Sequence, residues 1–172
     1  MGTITLITGG ARSGKSMQAL QLALPYKRKF FVATGQALDH EMTARIEFHR
    51  TTRPPDFQTV EEPVQLVAAL QKLDQSADLV VLDCLTLWIS NLMQRHEADG
   101  AILAQADRLA ATLKDASFAS IVVTDEVGAG IVPTDHAESR RFRDLLGWTN
   151  QKVAAVAEQV LLMVAGYSIK VK

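Results

Sequence analysis

The stretch GGARSGKS at 9–16 follows a short apolar run, TITLIT at 3–8, and opens a helical pattern. Gly9, four residues, then Gly14-Lys15-Ser16 is the spacing of a loop that cradles phosphate. Glycines permit backbone turns that a Cβ would block. The loop N–H groups, from Gly10, Ala11, Arg12 and Ser13 onward, then converge on an anion beside a helix N-terminus. Lys15 is placed to reach the β- and γ-phosphates, and Ser16 to hold Mg²⁺. A glycine turn that merely opens a helix is the bland alternative, and the strand–loop–helix context argues against it.

A magnesium-bound nucleotide usually needs an acidic residue near such a loop, at the end of a neighbouring strand. LVVLD at 79–83 ends in Asp83, which suits a metal ligand and equally a helix N-cap. SIVVTDE ends in Asp125 and Glu126, ahead of VGAG. A carboxylate there is a candidate general base or substrate contact, or part of a self-bonded turn. Ala33-Thr34-Gly35 closes another strand, where a glycine lets a ligand approach the backbone.

EMTARIEFHRTTRPP at 41–55 places Met42, Ile46 and His49 on one helical face. Arg45, Arg50 and Arg53 surround the histidine, and Pro54-Pro55 stop the helix. The helix C-terminus favours imidazolium and the arginines favour neutral imidazole. Neutral imidazole can attack phosphorus while arginines hold its oxygens. A histidine among solvated charges is the alternative from these residues alone. His40, His96 and His136 lack comparable surroundings. Glu61 and Glu62 follow FQTV, a short strand pattern, and suit either a base or ribose contact or an acidic helix start ahead of Pro63.

The elements that must position these groups alternate. Strand patterns at 3–8, 29–34, 78–83, 120–125 and 159–165 are almost continuously apolar, as buried parallel strands are. Helical patterns fill 15–24, 40–50, 63–73, 85–95, 101–115 and 137–157, with 51–55 and 126–135 as loops. SIKVK at 168–172 reads as an antiparallel edge. This predicts an α/β fold with a mostly parallel central sheet, ligands lying beyond the strand C-termini. The 172 residues suit one domain, 1–172, with a sizeable core. A net charge of −1 gives no reason to expect a nucleic-acid partner. The single cysteine, Cys84, the absence of a signal-peptide pattern and of a membrane-length apolar run predict a cytoplasmic location.

Taken in order, GGARSGKS, VATGQALDHEMTARIEFHRTTRP at 32–54, TVEEP at 59–63, VVLDCLTLWISNLM at 80–93, TDEVGAGIVP at 124–133 and the C-terminal stretch 141–172 resemble one family over nearly the whole chain. It is the bifunctional adenosylcobinamide kinase / adenosylcobinamide-phosphate guanylyltransferase family of cobalamin biosynthesis. The H-R-x-x-R-P and E-V-G-x-G-I-V-P stretches are its most specific marks. The resemblance implies a P-loop, RecA-like domain with an antiparallel C-terminal edge. It implies phosphorylation of adenosylcobinamide by ATP or GTP, then transfer of GMP from GTP to the phosphate, with Mg²⁺ and through a guanylylated histidine, here His49. Nucleotide contacts fall on Gly9, Gly10, Ala11, Arg12, Ser13, Gly14, Lys15 and Ser16, on Ala33, Thr34 and Gly35, on Arg50, Thr51, Thr52 and Arg53, and on Glu61 and Asp83. A homotrimer is implied as well. One departure stands out: the family commonly carries Asn where this chain has Asp125, and an added negative charge repels phosphate unless it is metal-bound or protonated. A plain P-loop kinase of a small metabolite and a non-catalytic nucleotide-binding module are the competing readings.

Overall fold

The computed structural model describes residues 2–172. Thirteen elements follow in chain order. They are β1 (Ile4–Gly9), α1 (Lys15–Leu22), β2 (Lys29–Ala33), α2 (His40–Thr52), β3 (Phe57–Glu61), α3 (Leu66–Leu73) and β4 (Leu79–Asp83). After these come α4 (Leu85–Gln94), α5 (Asp99–Asp115), β5 (Ala119–Val123), α6 (Ala137–Val156), β6 (Gln159–Val164) and β7 (Tyr167–Lys170). One seven-stranded sheet runs β3-β2-β4-β5-β1-β6-β7, parallel throughout except for the β6–β7 hairpin. The α/β class, the parallel sheet and the antiparallel edge are as the sequence predicts.

The central strands β1, β2, β4 and β5 bury both faces because helices cover both, whereas the edge strands β3 and β7 stay largely exposed. Ile4, Leu6, Val80, Leu82 and Val122 meet the apolar faces of α3, α4, α5 and α6, with Trp88 fully enclosed among them. Ile7, Val81, Ile121, Leu161 and Met163 point the other way, towards Ala19 of α1 and Ala23 just after it. This alternation is the two-residue period of a strand expressed in a sheet covered on both sides. No helix among the described residues is long and apolar enough to cross a membrane.

Some boundaries differ, each for a local reason. Residues 51–52, read as loop, complete α2: their hydroxyls donate to Glu47 O and Phe48 O, and the helix stops at Arg53, immediately before Pro54. Helix α3 starts at Leu66 rather than 63, because Glu62 Oε1 accepts the N–H groups of Val64 and Gln65 at 3.0 and 2.7 Å and holds residues 62–65 in a turn ahead of the helix. Residues 165–166, the first of them read as strand, form the β6–β7 turn, with Ala165 and Gly166 both at positive φ, the conformation two-residue hairpins require.

Candidate functional site

The phosphate-loop sequence lies at the C-terminal end of β1, and backbone geometry explains its first glycine. Gly9 sits at φ +150°, and a Cβ there would come within 2.6 Å of Met163 O and 2.8 Å of Ser13 Oγ. Gly14, at φ +101°, is the N-cap of α1 and offers no side-chain cap, so the first-turn N–H groups are left for an outside acceptor. The β6–β7 turn buttresses the loop: Gly166 N–H donates to Ser13 O at 2.9 Å, and a Cβ on Gly14 would meet Gly166 Cα at 3.2 Å. Ser13 is buried, whereas Gly10, Ala11 and Arg12 are exposed.

Lys15 folds back over its own loop. Its Nζ donates to Gly10 O at 2.6 Å and Gly9 O at 3.0 Å, and pairs with Asp125 Oδ1 at 2.7 Å. Ser16 Oγ donates to Asp83 Oδ2 at 3.2 Å, although β5 separates β1 from β4 in the sheet. These are two hard oxygen donors side by side, which fits Mg²⁺, an ion that takes a hydroxyl, one carboxylate, phosphate oxygens and water. Burial pushes the Asp83 carboxyl up and the nearby Asp125 carboxylate adds to this; His49, the Ser16 hydroxyl and Arg53 pull it back down. That balance places His49 and Arg53 of the α2 region within electrostatic reach of the phosphate-loop serine's partner.

Helix α2 buries none of its residues. Asp39 caps it, accepting Met42 N–H at 2.7 Å, and Met42, Ile46 and His49 are its partly covered positions up to the C-terminal turn, the face the sequence marks. Ile46 rests against Gly35. Arg53 stacks its guanidinium 3.5 Å from the Phe31 ring centroid and donates to Thr59 Oγ1 at 2.5 Å. Its burial and the Arg50 charge lower its pKa, against the pull of Asp83 and Glu61. Arg50 lies 3.8 Å from Glu61 at the exposed end of β3. The pair Glu61 and Glu62 therefore divides: Glu62 bonds the turn ahead of α3, and Glu61 stays open beside the arginines.

Other expected contacts differ in character. Thr34 is fully buried; its hydroxyl donates to Cys84 O at 2.7 Å and accepts Cys84 N–H at 2.8 Å. It holds the start of α4 in place, and its side chain has no face to solvent. Thr51 and Thr52 spend their hydroxyls on the α2 backbone. Ala33 contributes through its carbonyl, which accepts Glu62 N–H at 2.9 Å. Glu126 is exposed, with Oε1 accepting Gly128 N–H at 2.7 Å, a self-bonded turn that leaves its other oxygen open. Three supporting residues escape sequence reasoning. Thr86 Oγ1 accepts Asp125 N–H at 2.8 Å. Asn150 donates to Asp125 O at 3.2 Å and accepts the Thr124 hydroxyl at 2.7 Å. Asn91 binds Thr34 O at 2.8 Å and Pro63 O at 3.0 Å, tying β2 to the start of α3. A polar residue on the inward face of a helix is the signal each leaves in sequence, and it does not name a partner.

Comparison with known proteins bears on this arrangement. Among solved structures, the fold is similar to the RadB recombinase, with a TM-score of 0.55 at 18% identity, covering 94% of this chain and 74% of that one. It is also similar to an ATPase from a bacterial type III secretion system, with a TM-score of 0.60 at 11% identity, covering 99% of this chain and 57% of that one. Both likenesses speak to the fold alone. Sequence similarity goes further. A protein of Escherichia coli (strain K12) named bifunctional adenosylcobalamin biosynthesis protein CobU is 38% identical over 179 residues, covering 97% of this chain and 98% of that protein. A protein of Pseudomonas aeruginosa named bifunctional adenosylcobalamin biosynthesis protein CobP is 39% identical over 171 residues, covering 97% and 96%. The family model described as cobinamide kinase / cobinamide phosphate guanyltransferase matches residues 5–171. With that match running from β1 to the C-terminal edge, the chain belongs to the cobinamide kinase / cobinamide phosphate guanyltransferase family.

Proposed function

We propose that this chain phosphorylates adenosylcobinamide with ATP or GTP and then transfers GMP from GTP to that phosphate, with His49 carrying the GMP. The observation that supports it is the approach, at one rim of the sheet, of a phosphate loop, the Ser16–Asp83 pair, His49 of α2 and Arg53 just after that helix.

In the first reaction the acceptor hydroxyl oxygen bonds to the γ-phosphorus, and the bond to the nucleoside diphosphate oxygen breaks. The hydroxyl proton passes to a base, for which the open oxygen of Glu126 is the candidate. In the second, a neutral His49 nitrogen bonds to the α-phosphorus of GTP and pyrophosphate leaves. An oxygen of the acceptor phosphate then attacks the same phosphorus, the N–P bond breaks, and adenosylcobinamide-GDP forms. The covalent stage divides one displacement into two easier ones. Lys15 and the loop N–H groups hold the leaving phosphates, and Arg50 and Arg53 meet charge on the α-phosphate. Mg²⁺, on Ser16 and Asp83, supplies charge neutralisation when bound.

The test incubates the protein and Mg²⁺ with GTP labelled at the α- or the γ-phosphate, then denatures it. Label on protein is expected from the α position only, stable to base, lost in mild acid and absent in His49→Asn. Folded, nucleotide-binding protein without α-label, or with undiminished label in His49→Asn, would overturn the nucleophile and leave a plain kinase.

A further inference from the structure

We infer that Asp125 is a built-in counter-ion for Lys15, competing with the incoming triphosphate, and so is a positioning residue that sets nucleotide affinity. The inference rests on reading 9–16 as a nucleotide phosphate site.

An ammonium group has three protons to donate. Lys15 Nζ has three oxygens around it, Asp125 Oδ1 at 2.7 Å, Gly10 O at 2.6 Å and Gly9 O at 3.0 Å. Its capacity is filled, and only 10% of its side chain is exposed, against 29% for Asp125. A phosphate oxygen reaches Lys15 by displacing one of these acceptors. Gly9 and Gly10 are neutral and belong to the loop itself. Asp125 is charged and comes from beyond β5.

The carboxylate is fixed by its backbone rather than by chance side-chain reach. Asp125 N–H donates to Thr86, Asp125 O accepts from Asn150, and the next residue's N–H donates to Gly9 O at 3.0 Å. The end of β5 is thus fastened to α4, α6 and the phosphate loop. Lys15 is the only cation paired with Asp125 among the described residues, and the other carboxylate near it, Asp83, is a like charge. When Lys15 turns to a phosphate, Asp125 loses its partner and stands beside two negative groups. Both effects oppose nucleotide binding. The same pair holds Lys15 over the loop and neutralises a partly buried ammonium.

The sign follows: removing the charge at Asp125 tightens nucleotide binding. Asp125→Asn keeps the side-chain shape. Calorimetric titration of wild type and variant with ATP and with GTP, in EDTA and then with Mg²⁺, reads the effect. We expect about tenfold tighter binding without Mg²⁺, equivalent to about 1.4 kcal/mol, with KM falling and kcat changing less. The nucleotide-free variant should melt at a lower temperature, and added nucleotide should recover more than that loss. A merely structural residue would weaken binding when changed, so the direction is diagnostic. Unchanged or weaker Mg²⁺-free binding by folded variant would overturn the inference. Weaker binding only with Mg²⁺ would also overturn it, making Asp125 a metal-side ligand. If wild type bound neither nucleotide, the phosphate-site reading would fall, and this inference with it.

Discussion

Two adjacent glycines of the phosphate loop should respond very differently to the same added methyl group. A Cβ on Gly9 would meet Met163 O at 2.6 Å and Ser13 Oγ at 2.8 Å, whereas a Cβ on Gly10 meets nothing within 4 Å. The Met163 contact is the serious one, because its oxygen belongs to the backbone of β6, paired to β1 at Gly9 itself. Relief requires moving a strand, not rotating a side chain. Gly9 also sits at φ +150°, outside the range of alanine. Strain of that kind costs about 1–3 kcal/mol, and the overlap with Met163 O puts Gly9→Ala at the upper end, about 3 kcal/mol. A chain of this size loses roughly 2–4 °C per kcal/mol, so Gly9→Ala should melt about 6–12 °C below wild type. Gly10→Ala should stay within about 0.5 kcal/mol, as an unobstructed exposed change does. Urea and thermal unfolding of the three proteins without nucleotide measure this directly. Equal stability of Gly9→Ala and wild type, or an equal loss in Gly10→Ala, would refute the argument that β6 packing dictates the first glycine.

Two further outcomes follow from titrating groups near the rim. Burial raises Asp83 above its ordinary 3.8, so the folded protein keeps this proton at pH values where the unfolded chain has released it. Stability from this group is therefore greatest at low pH and is lost as pH rises from 3.8 through the raised value. Asp83→Asn should abolish that slope without destabilising the nucleotide-free protein at neutral pH, while Mg²⁺-dependent turnover falls about 10- to 100-fold; retained turnover would dismiss Asp83 as the metal-side carboxylate. Cys84 is 8% exposed, and burial, with Asp83 adding, pushes its thiol up to about 12. A thiol reagent at pH 8 should modify Cys84 only at the rate of unfolding and promptly in denaturant; fast labelling of the native protein would contradict its enclosure.

Much of the chemistry was legible before any tertiary contact was known, because it is local. The spacing of Gly9, Gly14, Lys15 and Ser16 is a property of eight consecutive residues. The face of α2 that carries Met42, Ile46 and His49 follows from 3.6 residues per turn, and Pro54-Pro55 end that helix wherever it packs. The continuous apolar runs announce strands covered on both faces, since an exposed face would demand alternation. Strand order, by contrast, depends on which runs pair, and no local pattern states that β5 lies between β1 and β4. For that reason Ser16 with Asp83, and Lys15 with Asp125, appear only when distant strand ends are brought together. The choice between Glu61 and Glu62 is likewise not written in their types: both are acidic and adjacent, but one turns to the N–H groups of Val64 and Gln65 in the turn ahead of α3 and the other faces Arg50. Thr34 marks the limit most plainly. Its place after a strand suggests a ligand contact, while the fold closes over it and gives its hydroxyl to Cys84, because a buried backbone end must find a partner and Thr34 is the one within reach.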